Sequence, residues 1–440
     1  MSREQERIKR KLEKNPIMEC NKIQKKFCPE LFSMFGEVDD PRHKSYIEYS
    51  ARTMLGTLYY KCIGGISSMQ EMTRAFNKDA VCENLYKFMG EDAKDYLPHG
   101  VTENEFLERL NPEELEKIQK NMVYSMIRRK TFEDARVLKK WLVIIDATEL
   151  DEGFQKKNEH YLSRCYNKGT EKEFIKYHRS VLEAKIYFGT NLVCSIASET
   201  IENSEEYLNQ SDDSIKQDCE SKAFVRLAAK IKEKFPRLPI IIVADGLYVT
   251  QNVFQICKDY GWDYIIRYKE GSAPSIAKEY QALAEKETIG TDIEYQNEIL
   301  FYDFDVNLIY YKEKRIEKGE EKEREFAWIT SIKITRNNAK KIVCAGRKRW
   351  KIENQGFNRQ KHWQGNIEHA YSWNEKAQKN HYQMEQIADF IKQLYEYFFL
   401  KKNGIKKTQK NISSELLESF GRQRTETEDI NTELQKAILN

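Results

Sequence analysis

Pro239-Ile240-Ile241-Ile242-Val243-Ala244-Asp245-Gly246 is a short β-branched run opened by a proline and closed by an Asp-Gly turn dipeptide, the pattern of a strand that delivers an acid to its end. A second such run lies upstream, Trp141-Leu142-Val143-Ile144-Ile145-Asp146. Between and around them the texture repeats. Ala184-Lys185-Ile186-Tyr187-Phe188 and Leu192-Val193-Cys194-Ser195-Ile196-Ala197 flank Gly189-Thr190-Asn191, a hairpin turn. A helical stretch from Lys216 to Phe235 is stopped by Pro236. Val249 to Tyr260 reads as a further helix, and Trp262-Asp263-Tyr264-Ile265-Ile266-Arg267-Tyr268 as a fifth strand.

The resulting order, β-β-β-α-β-α-β, predicts an α/β fold in which helices flank a mixed sheet, and it is the order of a ribonuclease-H-like fold. Residues 135–275 are expected to form the first part of that core. A β-rich insertion is expected over 276–335, on the strength of Ile299–Val306 and Phe326–Ile332. The second part of the core, 336–400, should carry the helix of Glu353 and a long amphipathic helix, Gln378–Phe399, closing the core. Residues 1–130 read as a separate helical region. Apolar residues recur there at three- and four-residue spacing from Tyr46 to Leu58, and Asn111-Pro112-Glu113-Glu114 has the residue order of a helix start. Residues 401–440 form a polar, locally basic tail.

A chain of 440 residues with 40% hydrophobic and 32% charged residues is large enough for two or three domains with charge-rich surfaces. No apolar run approaches a membrane span, and the polar start Met1-Ser2-Arg3-Glu4-Gln5 is no secretory signal. Nine scattered cysteines, without a CxxC pair or zinc spacing, read as reduced thiols of a cytoplasmic protein. Net charge is only +3, but its distribution is uneven. Basic clusters occupy the first thirty residues and Lys401–Lys410. From Lys333 to Lys361 there are ten Lys/Arg and one acid, Glu353. Such local stretches are the footprint of a phosphate-binding surface.

Either strand-ending aspartate alone reads as a turn cap. Together with Glu353 they make three hard oxygen ligands at one sheet edge, the donor set for two Mg²⁺ ions in phosphoryl transfer. Asp146, Asp245 and Glu353 are therefore the candidate catalytic and metal-binding residues, with Mn²⁺ able to substitute. Arg349, one helical turn before Glu353, could form an i,i+4 ion pair with it or steer a phosphate. Lys348, Trp350, Arg359 and Lys361 complete the candidate DNA contacts. Trp350 and Trp328 read as core aromatics or as surfaces for stacking a base. Glu199 and Glu202, just beyond a strand, are read as structural.

From about Asp40 to Leu400 the chain resembles the DDE transposases of bacterial insertion sequences, in the group named after insertion sequence 4. The resemblance rests on Ile145-Asp146-Ala147-Thr148, Glu183-Ala184-Lys185, Ala197–Asn203, Ala244–Tyr248, and Arg349-Trp350-Lys351-Ile352-Glu353 with Phe357 and Lys361. Two positions depart from the group's signature. Gly346 stands where it has a tyrosine, and Gln360 where it has a lysine, with Lys361 next. The resemblance implies a Mg²⁺-dependent enzyme with Asp146, Asp245 and Glu353 as its acids. Such an enzyme cuts at the terminal inverted repeats of its element and joins the 3′-hydroxyl ends to target DNA. Its partners would be double-stranded DNA and a second copy in a synaptic dimer, with no membrane, and its place the bacterial cytoplasm on the nucleoid. Two alternatives share the fold: a transposase-derived protein that binds DNA without cutting it, and a nuclease that cuts without joining.

Overall fold

The computed structural model describes residues 14–209, 216–282, 286–317, 320–369 and 371–422. The expectations for the first 13 residues and for the end of the tail, 423–440, lie outside these. The chain forms two compact units. One runs up to Thr131 and takes in Glu149–Arg179 and the chain from Phe357 onward; the other comprises Phe132–Thr148 and Ser180–Gly356.

The first unit is helical apart from a short hairpin. Asn111 caps the helix Pro112–Arg128, its side chain accepting from the Glu113 amide at 3.2 Å, as the sequence predicts. The helix expected over Gln378–Phe399 runs from Glu375 to Tyr395 and belongs to this unit. It is not amphipathic. From Ala377 to Tyr395 every residue but Lys379 is buried, including His381, Glu385, Asp389 and Lys392. Helices such as Ala51–Ile63, Gly100–Arg109 and Pro112–Arg128 pack around it. A helix buried on all sides must find partners for its polar groups. Here Asn380 donates to the Leu107 and Leu110 carbonyls at 2.8 Å each, and Lys392 donates to Ser413 at 2.8 Å. In the hairpin, β2 (Leu162–Tyr166) pairs antiparallel with the first half of β3 (Phe174–Tyr187).

The second unit is built on a mixed sheet with helices on it. β1 (Trp141–Gly153) and β3 pass from one unit into the other along the chain. β4 (Val193–Ile201) pairs antiparallel with β3, which neighbours β1. β1 pairs parallel with β5 (Ile240–Ala244), and β5 parallel with β6 (Asp263–Tyr268). The strands lie in the order β4-β3-β1-β5-β6, a mixed sheet as the sequence predicts. All five residues of β5 are buried, which is why its sequence is a continuous apolar run. The helix Glu220–Lys234 packs on β4 through an apolar stripe that includes Phe224, Leu227 and Ile231.

The β-rich segment is not a separate module. β7 (Glu287–Ile289), β8 (Ile293–Phe301), β9 (Phe304–Glu317) and β10 (Glu320–Thr330) form an antiparallel ribbon, and β10 pairs with β6 through Ala327–Thr330. The exposed edge of β6 would otherwise leave backbone groups unpaired, and β10 covers it. No helix among the described residues is long and apolar enough to cross a membrane.

β5 is held on both sides by β1 and β6, and its side chains are buried on both faces of the sheet. Ile242→Ala should lower stability by about 2–5 kcal/mol, measured by urea unfolding of the full chain.

Candidate functional site

The geometry starts from strand register. In the parallel pair β1–β5, Ile144 lies opposite Val243. Two residues further along come Asp146 and Asp245. Asp245 lies just past the end of β5, whereas Asp146, expected to end its strand, lies within β1, which runs on to Gly153. The two carboxyls are near enough for Asp245 to raise that of Asp146. Asp245 also caps the short helix Gly246–Tyr248, its Oδ1 accepting from the Leu247 amide at 2.9 Å. The third acid opens a wide helical turn, Glu353–Phe357, that follows Trp350–Ile352. All three are half-buried.

Arg349 does not take its neighbour Glu353 as partner. Its Nη1 donates to Asp146 Oδ2 at 3.0 Å, tying the glutamate's helix to the first aspartate. Around this pair the electrostatics are unfavourable for anions. Burial pushes the Asp146 carboxyl up from 3.8 to about 6; Arg349 opposes this, while Asp245, Glu220 and Glu353 add to it.

Glu220 is the residue that the sequence reading missed. It sits in the first turn of its helix and accepts a 2.5 Å hydrogen bond from the Tyr248 hydroxyl. Its own carboxyl is raised by burial and by Asp245, against the lowering effect of Tyr248. The sequence marked only a helix start there. Glu199 is held instead by Arg226 at 2.7 Å and Lys230 at 2.9 Å.

Beside Asp245 opens a cleft of about 790 Å³, lined among others by Leu247, Arg267, Lys269, Phe326, Trp328, Arg347, Arg349 and Trp350. Asp245 is the one acid in that lining. Burial and then the nearby Arg347 and Arg349 lower the pKa of Arg267, with Glu325 opposing the shift. Arg347 stands 4.0 Å from the Phe326 ring centre and pairs with Glu313 at 3.1 Å. Trp350 is 53% exposed, with the Arg349 guanidinium 5.0 Å from its ring. Trp328 is buried, and it explains Gly346: a Cβ there would lie 2.4 Å from the indole Nε1. The signature tyrosine has no room at that position.

Lys348 lies 5.3 Å over the Tyr187 ring. The other two expected DNA contacts are not brought into this unit. Arg359 is buried in the first unit, where its two terminal nitrogens donate to Glu396 at 2.7 and 2.6 Å. Lys361 is also in the first unit and pairs with Glu368 at 2.9 Å.

Four carboxylates in mutual repulsion are a suitable donor set for hard divalent cations. The described side chains whose ligand atoms gather within 4.8 Å do not include the three acids as one set, and Arg349 neutralises Asp146 instead. Cys62, His381 and Glu385 in the first unit do gather so closely. There, however, the Lys61 ammonium lies 3.1 Å from His381 Nε2, which argues for a buried ion-pair network rather than a cation site.

Residues 216–393 match the family described as Transposase DDE domain. The matched span holds Glu220, Asp245, Arg349 and Glu353, and it supports a DNA transposase of the DDE class. A search of curated proteins found no significant match. Among solved structures, one titled "Cryo-EM structure of piggyBac transposase synaptic complex with hairpin DNA (SNHP)" aligns with 96% of this chain and 85% of that chain, at 11% identity and a TM-score of 0.41. That likeness is too loose to add to the fold described above.

Two outcomes follow from the charges. A carboxyl raised on folding binds more protons folded than unfolded between its two pKa values, so its ionisation removes stability as pH rises from about 4 through about 6. Metal-free Asp146→Asn should therefore melt above the unsubstituted protein near pH 8, with the gap closing towards pH 4 in a series of thermal melts. Arg359→Ala takes the bidentate partner from the half-buried Glu396, to which Gln409 still donates at 2.8 Å, and should cost about 3 kcal/mol in urea unfolding. Unchanged stability with weakened DNA binding would instead make Arg359 a phosphate contact.

Proposed function

We propose that this chain is a DNA transposase with a ribonuclease-H-like catalytic core, in which Asp146, Asp245 and Glu353 hold two Mg²⁺ ions. The observation that carries the reading is the β1–β5 register, which delivers Asp146 and Asp245 to one sheet edge, with Arg349 from the glutamate's helix bonded to Asp146. Bound at the three acids, the cations would activate a water or a DNA 3′-hydroxyl and stabilise the leaving oxygen; Mn²⁺ would serve the same donors.

The protein's own groups bind and orient the DNA. The cleft cations Arg267, Lys269, Arg347 and Arg349 attract phosphates, and the planar guanidinium of Arg349 is placed to pass from Asp146 to a phosphate oxygen. Trp350 offers an exposed ring to a base, and Lys348 adds charge beside it. Arg359 is assigned to the structure of the helical unit, and Lys361 remains a weaker candidate than Arg349. The helical N-terminal region would bind the element ends, and two copies would synapse them. Cutting at the inverted repeats and joining of the 3′-hydroxyls to target DNA complete the reading, which places the protein on the nucleoid of a bacterial cell.

The direct test incubates purified protein with a labelled duplex carrying the inverted repeats that flank its gene, with and without Mg²⁺, and with a target plasmid. Metal-dependent cuts at the repeat boundary followed by joined products are expected. Cutting without joining would mean a nuclease; tight binding with no cut at any Mg²⁺ concentration would mean a silent DNA-binding relative. Asp245→Asn and Glu353→Gln should each abolish cleavage and leave DNA affinity largely intact. Arg267→Ala should weaken binding to any duplex and reduce the slope of log affinity against log salt by about 1, read from titrations at several salt concentrations.

A further inference from the structure

The block Glu183-Ala184-Lys185 has no part in the chemistry above, yet it places two charged residues inside the sheet. Glu183 and Lys185 are both fully buried on β3, and strand alternation puts them on the same face. A lysine in a strand interior is costly compared with an apolar residue, so its presence needs a reason. The β3–β4 ladder also breaks at this point. Ala184 pairs with Ala197 but Lys185 with Ser195, a register shift between the two. Bulges of this kind re-aim side chains and recur beside active sites.

The lysine stem lies against a glycine. A Cβ at Gly356 would come 3.0 Å from Lys185 Cε and 3.2 Å from its Cδ. Gly356 lies three residues beyond Glu353, within the wide turn Glu353–Phe357. Such π-type turns are rare and cluster at functional sites, because the extra residue per turn changes where a side chain points. The lysine stem thus lies between the sheet and this turn, and a side chain at Gly356 would push it aside by a few tenths of an ångström.

We propose that Lys185 is a positioning residue for Glu353: its buried stem, laid across Gly356, sets the wide turn and with it the reach of the Glu353 carboxylate toward Asp146 and Asp245. The proposal rests on Glu353 being a metal-binding acid.

The test is binding of Mn²⁺ to the full chain without DNA, followed by the electron paramagnetic resonance of free Mn²⁺. Lys185→Ala and Gly356→Ala should each weaken Mn²⁺ binding about tenfold, the usual effect of removing support behind a metal ligand. Their double variant should be no weaker than either single one. Lys185→Met keeps the stem and should bind nearly as the unsubstituted protein does. Alanine is the better helix former, so a loss in Gly356→Ala cannot be laid to backbone propensity. If Lys185→Ala fails to fold, Gly356→Ala decides. Mn²⁺ affinity unchanged in Gly356→Ala, or as weak in Lys185→Met as in Lys185→Ala, would overturn the proposal. Glu353→Gln distinguishes the two levels: if it binds Mn²⁺ normally, the metal-site reading itself falls, and if it binds weakly while Gly356→Ala does not, only the role of Lys185 falls.

Discussion

Side-by-side delivery of two aspartates by parallel strands is the constraint on which the second unit depends. The four paired residues from Trp141 to Ile144, against Ile240 to Val243, are all apolar and buried, so the register cannot slip without exposing them. That rigidity keeps Asp146, within β1, and Asp245, just past the end of β5, from separating to relieve their charge. The repulsion then shapes the surroundings. Arg349 is drawn onto Asp146, and Tyr248 donates to Glu220. Acids that a fold could have spread apart are instead held close, which is the arrangement expected where a cation or the substrate supplies the missing compensation.

The core of this arrangement was legible in the sequence because its signals are local. Uninterrupted β-branched runs ending in aspartate mark strands, and Asp245-Gly246 marks the turn. The succession of these strands and helices along the chain followed from the lengths and breakers between them, except for β2, which lies in a polar stretch. Glu220 was not legible. It looks like any acid in a first helical turn, and only the fold brings it to Tyr248 and the two aspartates. The surroundings of Arg359 were not legible for a related reason. A basic run from Lys333 to Lys361 suggests one cationic surface, but the chain crosses from one compact unit to the other at Gly356–Phe357, and Arg359 turns inward to Glu396. The ribbon β7–β10 had the right secondary structure, but its pairing with β6 is a long-range contact that no local pattern announces.

The helical unit shows a different limit. Glu375–Tyr395 carries His, Gln, Glu, Asp and Lys at spacing that reads as a solvated face, yet the helix is enclosed. Asn380, Gln386 and Lys392 bond to side chains or backbone carbonyls of adjoining helices, so polarity here records a buried network rather than exposure. Burial pushes the Glu385 carboxyl up to about 7, with Lys61 opposing the shift.

The claim that Asp146, Asp245 and Glu353 form a metal-dependent catalytic centre is tested most directly by anomalous diffraction from crystals of the protein soaked in Mn²⁺. The account predicts anomalous density among the three carboxylates, with the Arg349 guanidinium displaced from Asp146. Ordered crystals whose Mn²⁺ density lies elsewhere, with Arg349 still bonded to Asp146 at saturating metal, would contradict it.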